Sequence, residues 1–181
     1  MKLKQTLSVI AITSVALTIA FAQQKRVSPT ETAKATIGGA DISITYGAPY
    51  TKDPKTGQPR KIWGGLVPYG KVWRTGANEA TTLTTTKDLQ FGSLTVPAGT
   101  YTLFTQPEES GGKLIINKQT GQWGTKYDQS QDFGRVDMTK KDISPSLDQF
   151  KILVEQTPGG AGVIHFRWEK TELSAPFTVK S

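Results

Sequence analysis

The sequence predicts an all-β, mainly antiparallel fold, either a single-domain β-sandwich or a jelly-roll-like barrel with one long irregular loop. Short runs in which apolar and polar residues alternate follow one another along the chain, and Gly- and Pro-rich turn signals separate them. No window shows the sustained apolar period of an amphipathic helix. We therefore expect about nine or ten strands in one domain.

The first two strands are predicted with the most support. Residues 33–37 and 41–46 flank Gly38-Gly39, a dipeptide typical of a tight hairpin turn. In the second run, apolar Ile42, Ile44 and Tyr46 alternate with polar residues, as a strand buried on one face requires.

Residues 47–70 break this pattern. The segment is rich in proline, which removes ladder hydrogen bonds, and in glycine, which favours turns. Loops of this length inside a compact domain are usually functional or disordered. Because the segment also carries Tyr50, Trp63 and Tyr69, we expect it to be an ordered excursion.

Further β-like runs follow the excursion. Gly92-Ser93, Pro97 to Gly99 and Glu108 to Gly112 mark turns, and a Gly- and Gln-rich loop carries Trp123 and Tyr127. The predicted strands cover residues 80–86, 89–96, 100–106, 113–118, 150–156, 162–169 and 173–179.

The first 22 residues have the pattern of a secretory signal peptide. Lys2 and Lys4 precede an uncharged run, and Ala20-Phe21-Ala22 is a small-x-small cleavage site. The uncharged run covers about 15 residues, short of the ~20 that a membrane-spanning helix needs. We therefore expect cleavage after Ala22, a single β domain over residues 23–181 that does not span a membrane, and a periplasmic or secreted location.

The composition narrows the classes of function. The chain has no cysteine, so packing without disulfides must hold an exported domain together. Its net charge is +7, but Lys and Arg are spread along the chain instead of massed in runs. Together with export, this argues against a nucleic-acid partner. The sequence does not indicate an oligomeric state.

Three segments carry a resemblance to a known family. They are the stretch from Arg60 to Ala80, which includes VPYGKVWRTGANEA, the stretch VPAGTYTLF from Val96 to Phe104, and Asn117 to Gly124. With these segments the chain resembles the bacterial exported family called domain of unknown function 2911, from about Ser28 to Val179. The resemblance implies a small exported protein and brings no established activity or catalytic residues.

The region from Arg60 to Glu79 is the candidate ligand-binding site. Aromatic rings can stack on sugar faces, and Arg, Asn and Glu supply hydrogen bonds around them; an arginine can also clamp a carboxylate or phosphate. The alternative interpretation is structural, with tryptophans filling the core and Arg74 paired with Glu79. The candidate residues are Arg60, Trp63, Tyr69, Trp73, Arg74, Asn78 and Glu79.

Other chemistry has less support in the sequence. His165 is the single histidine and lies on the more polar face of its strand, which favours a surface or hydrogen-bonded role over that of a catalytic base. One histidine and no cysteine do not build a usual zinc site. Asp128, Asp132 and Asp137 match no calcium-loop spacing. We expect no metal and no cofactor.

Three functional hypotheses follow. The first is a non-enzymatic binding module of the cell envelope for a carbohydrate or another small polar ligand. The second is a glycan-directed hydrolase that uses Glu79 and a second carboxylate, for which Glu31, Asp41, Asp132 and Glu155 are available. The third is a structural or protein-interaction module whose edge strands serve as docking points.

Overall fold

The computed structural model describes residues 27–180, so the predicted signal peptide and its cleavage site lie outside the described residues. Within this range the chain forms nine strands and one short 3₁₀-helix, Gln129–Gln131. The strands are β1 (Thr30–Ile37), β2 (Ala40–Gly47), β3 (Ala77–Thr85), β4 (Leu89–Phe91), β5 (Leu94–Val96), β6 (Gly99–Pro107), β7 (Gly111–Asn117), β8 (Asp132–Gln156) and β9 (Gly162–Val179).

All nine strands of the described chain belong to one antiparallel sheet with the order β1-β2-β3-β6-β7-β8-β9-β4-β5. The predicted all-β, antiparallel class is confirmed. The sheet is open between its edge strands β1 and β5, so the jelly-roll-like barrel is not formed. No helix within residues 27–180 is long and apolar enough to cross a membrane.

The long strands β8 and β9 give the sheet its curvature. Their pairing shifts register between Asp142 and Leu147 and again between Leu147 and Lys151. Glu169, the partner of Leu147, has a positive φ of 50°. Such irregularities bend strands and increase their twist. The sheet therefore folds over, and β1 contacts β8 although the two strands are not neighbours in it.

The buried face of the sheet carries the core. Predicted alternations in β2, β8 and β9 all point their apolar members inward, as expected from a period of two. In β2 the hydroxyl of Tyr46 also accepts a hydrogen bond from the backbone N–H of Ile152, at 3.0 Å. The buried alternating residues are Ile42, Ile44, Tyr46, Phe150, Ile152, Val154, Ile164, Phe166 and Trp168.

The predicted excursion lies between β2 and β3. Within the described residues, the segment 48–76 forms only isolated bridges, including Tyr50 with Gln149 and Trp73 with Thr105. Ile62 and Val67 are buried and anchor the segment in the core. The excursion is therefore ordered and closely packed, and it lies beside β6 and the middle of β8.

Candidate functional site

A cleft of about 730 Å³ opens where the excursion meets the sheet. One wall comes from the excursion and the start of β3, and includes Trp73, Arg74 and Asn78. The other lining residues come from the segment before β1, from the loop after β7 and from strands β6, β8 and β9. We call this feature the Arg74 cleft.

The structure brings four of the seven predicted site residues together at this cleft. Arg60, Trp73, Arg74 and Asn78 line it. The other three predicted residues do not line it: Trp63, Tyr69 and Glu79.

Trp73 forms part of an aromatic cluster beneath the cleft. Its ring stacks on that of Trp168, with centroids 5.9 Å apart and planes 19° apart, and meets Phe150 edge-on at 5.1 Å. Trp63 packs edge-on against Trp73 at 6.5 Å, and its indole N–H donates to the carbonyl of Trp168 at 3.3 Å. The structural interpretation therefore fits Trp63, whereas the partly buried Trp73 joins the core to the cleft wall.

Arg74 is partly buried at the cleft wall. Its Nε–H donates to the carbonyl of Gly76 at 3.2 Å, and within residues 27–180 no carboxylate forms an ion pair with its guanidinium. Burial lowers the pKa of Arg74 because desolvation disfavours the charged form. The Nη groups of this guanidinium fork are thus available to an acceptor in the cleft.

The backbone around Arg74 adopts an unusual conformation. Thr75 and Asn78 have positive φ angles of 55° and 64°, a sparsely populated region for residues other than glycine, and for β-branched threonine above all. Hydrogen bonds hold the strained turn: Thr75 Oγ1 donates to Thr105 Oγ1 at 3.1 Å, and Thr81 Oγ1 donates to the Thr75 carbonyl at 2.8 Å. Strain of this kind clusters at functional sites.

Arg60 joins two parts of the excursion through hydrogen bonds. Its Nε–H donates to the carbonyl of Thr51 at 3.4 Å, and its Nη2 donates to the carbonyl of Tyr50. Asp53, also at the cleft, accepts hydrogen bonds from the backbone N–H groups of Lys55 and Thr56, which lower its pKa. The charge of Arg60 contributes to that shift. Arg60 therefore combines a structural role with a position at the cleft.

The loop after β7 forms a second wall that sequence reasoning missed. The Tyr127 hydroxyl donates to Asp132 Oδ2 at 2.7 Å and accepts from Arg135 Nη2 at 2.8 Å. Burial, followed by the hydrogen bond to Asp132, raises the pKa of Tyr127 to about 12. The Tyr127 ring meets Phe104 at 4.9 Å. The Tyr127 hydroxyl is therefore held by two hydrogen bonds and is protonated at neutral pH.

Exposed apolar side chains lie at the cleft. Val27 is 60% exposed, Leu66 44% and Tyr50 39%, and all three line it. Trp123, which is 49% exposed, lies outside the cleft. Exposed apolar side chains that line one cleft together with polar ones are typical of a binding site. The sequence analysis noted Tyr50 as an aromatic residue of the excursion. No sequence pattern indicated that Val27 and Leu66 would lie at the same cleft.

Glu79 and Tyr69 lie away from the cleft lining. Glu79 is exposed on β3, and its backbone forms an isolated bridge with Trp123. The ring of Tyr69 is partly buried, with the ammonium of Lys140 5.9 Å from its centroid.

His165 belongs to a charge cluster on β8 and β9. Its Nδ1 lies 3.0 Å from Glu172 Oε1, and its Nε2 lies 3.5 Å from Glu155. Over residues 27–180 no group of three or more His, Asp or Glu side chains is arranged to hold a metal ion. Asp132 and Asp137, two of the acidic residues considered for calcium, pair instead with Arg135 and Lys113.

Comparison with known proteins gives one match. The model of a family described as a protein of unknown function, DUF2911, matches residues 28–177. No curated protein and no solved structure matches the chain.

Proposed function

This chain belongs to the DUF2911 family of proteins of unknown function, and we propose that it is an exported, non-enzymatic module that binds a carbohydrate or another small polar ligand in the Arg74 cleft. The observation that carries the proposal is an open cleft with a partly buried arginine free of carboxylate partners among the described residues. Small-ligand sites combine apolar walls with a few convergent polar groups.

The size and walls of the cleft suit a ligand of one or two sugar rings. A volume of about 730 Å³ lies within the range of ligand pockets, about 300–1,000 Å³. Tyr50 and Leu66 offer exposed apolar surface, and Asn78 adds a polar side chain at the wall. The hydrogen bonds around Thr75 and Tyr127 hold both walls in place, which reduces the entropic cost of binding.

The hydrolase hypothesis has less support from the same geometry. Glycoside hydrolysis needs one carboxylic acid with a raised pKa. The pKa of Asp53 is lowered by hydrogen bonds from the backbone of Lys55 and Thr56, and Asp148 accepts a hydrogen bond from Thr51. Glu79 is not among the cleft-lining residues. A binding role therefore fits the cleft better than acid catalysis.

A thermal-shift screen of the purified protein against neutral sugars, sugar acids, amino acids and nucleotides tests the proposal. A ligand that binds only the folded state, at 100 times its dissociation constant, adds about 2.7 kcal/mol to stability. We expect at least one hit, and we expect Tyr50→Ala or Leu66→Ala to weaken it without lowering the melting temperature of the free protein.

The matched control is Trp123→Ala, which removes an exposed aromatic side chain outside the cleft. A hit that survives Tyr50→Ala and Leu66→Ala but is lost in Trp123→Ala places the ligand elsewhere. The absence of any hit across the panel contradicts a small-ligand function.

A further inference from the structure

We propose that the ligand of the Arg74 cleft is an anion, and that its carboxylate or phosphate group is received by the guanidinium of Arg74 while its uncharged body lies towards Tyr50 and Leu66. This inference rests on the proposed function and specifies the chemical class of the ligand. The Nη groups of an arginine form a planar fork that matches two oxygens of such an anion.

Residues 27–180 contain four arginines, and their guanidinium groups differ in their hydrogen-bond partners. Arg135 bonds Asp132 through Nε at 3.1 Å and through Nη2 at 2.9 Å, and its Nη1 donates to Gln106. Arg167 donates from Nε to Glu172. Both therefore have a carboxylate partner within the protein.

The two cleft arginines differ from this pattern. Arg60 and Arg74 donate only to backbone carbonyls among the described residues. Of the two, Arg60 donates to carbonyls through both Nε and Nη2, whereas Arg74 donates through Nε. Burial lowers the pKa of Arg74, and no negative charge within residues 27–180 offsets this effect. Lys52, the third cation at the cleft, is exposed to solvent. Arg74 is thus a partly buried cleft cation that has no carboxylate partner among the described residues.

A partly desolvated cation without a counterion is unfavourable unless something pairs with it. The protein also fixes its position: the Cα of Gly124 packs on the Arg74 stem so closely that an added Cβ would lie 3.0 Å from Cδ. A partly desolvated guanidinium whose stem is held in place at the wall of a cleft is arranged for an incoming anion.

The geometry does not favour one anion over the other, since carboxylate and phosphate oxygens both fit the fork. The experiment therefore uses ligands that share one ring and differ in one group. Glucose, glucuronate and glucose 6-phosphate form one set, and galactose with galacturonate forms another. Benzyl alcohol with benzoate forms a set without a sugar.

Binding of each probe to the purified protein is measured by calorimetry at low ionic strength. We expect an acidic member of a set to bind at least about tenfold more tightly than its neutral partner, the difference expected for one charge-assisted hydrogen-bonded pair. We also expect the difference to shrink as salt is added. Preference for glucuronate over glucose 6-phosphate identifies a carboxylate site, and the reverse order a phosphate site.

Arg74→Gln should abolish the preference of the acidic probe over the neutral one. Lys71→Gln is the matched control, because it removes the same charge from an exposed neighbour that does not line the cleft. If Arg74→Gln fails to fold, Arg74→Lys keeps the charge without the fork and should lower the preference in a folded protein.

The outcomes separate the two proposals. Neutral members that bind as tightly as acidic ones overturn the anion inference but leave a small-ligand cleft standing. A preference for acids that persists in folded Arg74→Gln also overturns the inference, because another cation must then receive the anion. If no probe in any set binds, the anion inference fails, whereas the proposed function fails only when the thermal-shift panel also gives no hit.

Discussion

At Gly124 the loop after β7 approaches Arg74 and Asn78 so closely that a methyl group does not fit. An added Cβ would lie 2.9 Å from the Asn78 carbonyl oxygen and 3.0 Å from Arg74 Cδ. We expect Gly124→Ala to displace the Arg74 stem, to weaken ligand binding and to destabilise the fold by about 1–3 kcal/mol, a typical cost of overpacking.

Calorimetry and urea unfolding check this prediction. Gly159→Ala is the control, since an added Cβ at Gly159 meets no atom within 4 Å. Unchanged affinity in Gly124→Ala would show that the close contact does not position Arg74.

Glu172 offers a second prediction at a single residue. Its carboxylate is 1% exposed and lies 2.8 Å from Lys141 Nζ and 3.0 Å from His165 Nδ1, and it also accepts from Arg167. Burial alone would raise the pKa of Glu172, but the contacts with Lys141, Arg167 and His165 outweigh it, so the pKa is lowered. Glu172→Gln should cost about 3 kcal/mol at neutral pH, the magnitude for a broken buried ion pair.

The pH dependence of that cost follows from the sign of the shift. A lowered pKa stabilises the folded state above the unfolded value, 4.5, and this stability is lost as the pH falls through the folded pKa. Urea unfolding at pH 7 and at pH 3 should therefore show a larger difference in stability between Glu172→Gln and the wild type at pH 7 than at pH 3. Glu155→Gln, which neutralises a 53% exposed carboxylate of the same cluster, should cost at most about 1 kcal/mol at either pH.

Residue types in the sequence identified four of the 21 residues that line the candidate cleft. Arg60, Trp73, Arg74 and Asn78 were predicted because they stand within one unusual segment, and they do line the cleft. Tyr127, Asp148 and Trp168 also line it, but they come from three distant segments. Their proximity depends on the pairing order of the strands, which no local pattern encodes.

The excursion leads to a prediction at the scale of an element. Ile62 and Val67 anchor it with 1% and 0% exposure, whereas Leu66 in the same turn is 44% exposed at the cleft. Ile62→Ala should lower the free energy of unfolding by about 3 kcal/mol, the usual cost of such a cavity. Leu66→Ala should change it by less than about 0.5 kcal/mol. If urea unfolding gives both variants the stability of the wild type, the excursion is not part of the core.

The strands themselves were predicted unevenly. The hairpin of β1 and β2 was expected from Gly38-Gly39, and both glycines have positive φ, 56° and 73°, as the tight turn requires. The first part of β8 was missed, because exposed polar residues and Pro145 hide the alternation there. The two predicted runs of β9 proved to be one strand, bent at Glu169. Bends and bulges interrupt the alternation of apolar and polar residues. A long irregular strand is therefore predicted from sequence as several short strands.

At the scale of the whole molecule, the hydrophobic core ties all nine strands of the described chain together. One cluster of buried side chains contains Ile37 from β1, Leu89 from β4, Val96 from β5 and Trp168 from β9. The aromatic group beneath the cleft, Trp73 with Phe150 and Trp168, is continuous with this cluster. Phe104 and Ile115 are buried outside this cluster. Because the aromatic floor packs within the cluster, we expect the cleft to keep its floor for as long as the sheet is folded.

We therefore expect unfolding in one cooperative transition, as is usual for single domains of this size. Tryptophan fluorescence, which reports on Trp63, Trp73 and Trp168 in or beside the core and on the exposed Trp123, should give the same urea midpoint as far-ultraviolet circular dichroism, which reports on the strands. A cleft ligand at 100 times its dissociation constant should move both midpoints together, by about 2.7 kcal/mol in free energy. Two separate midpoints, or a ligand that shifts fluorescence alone, would mean that the cleft opens independently of the sheet and that its walls are ordered by the ligand instead of by the core.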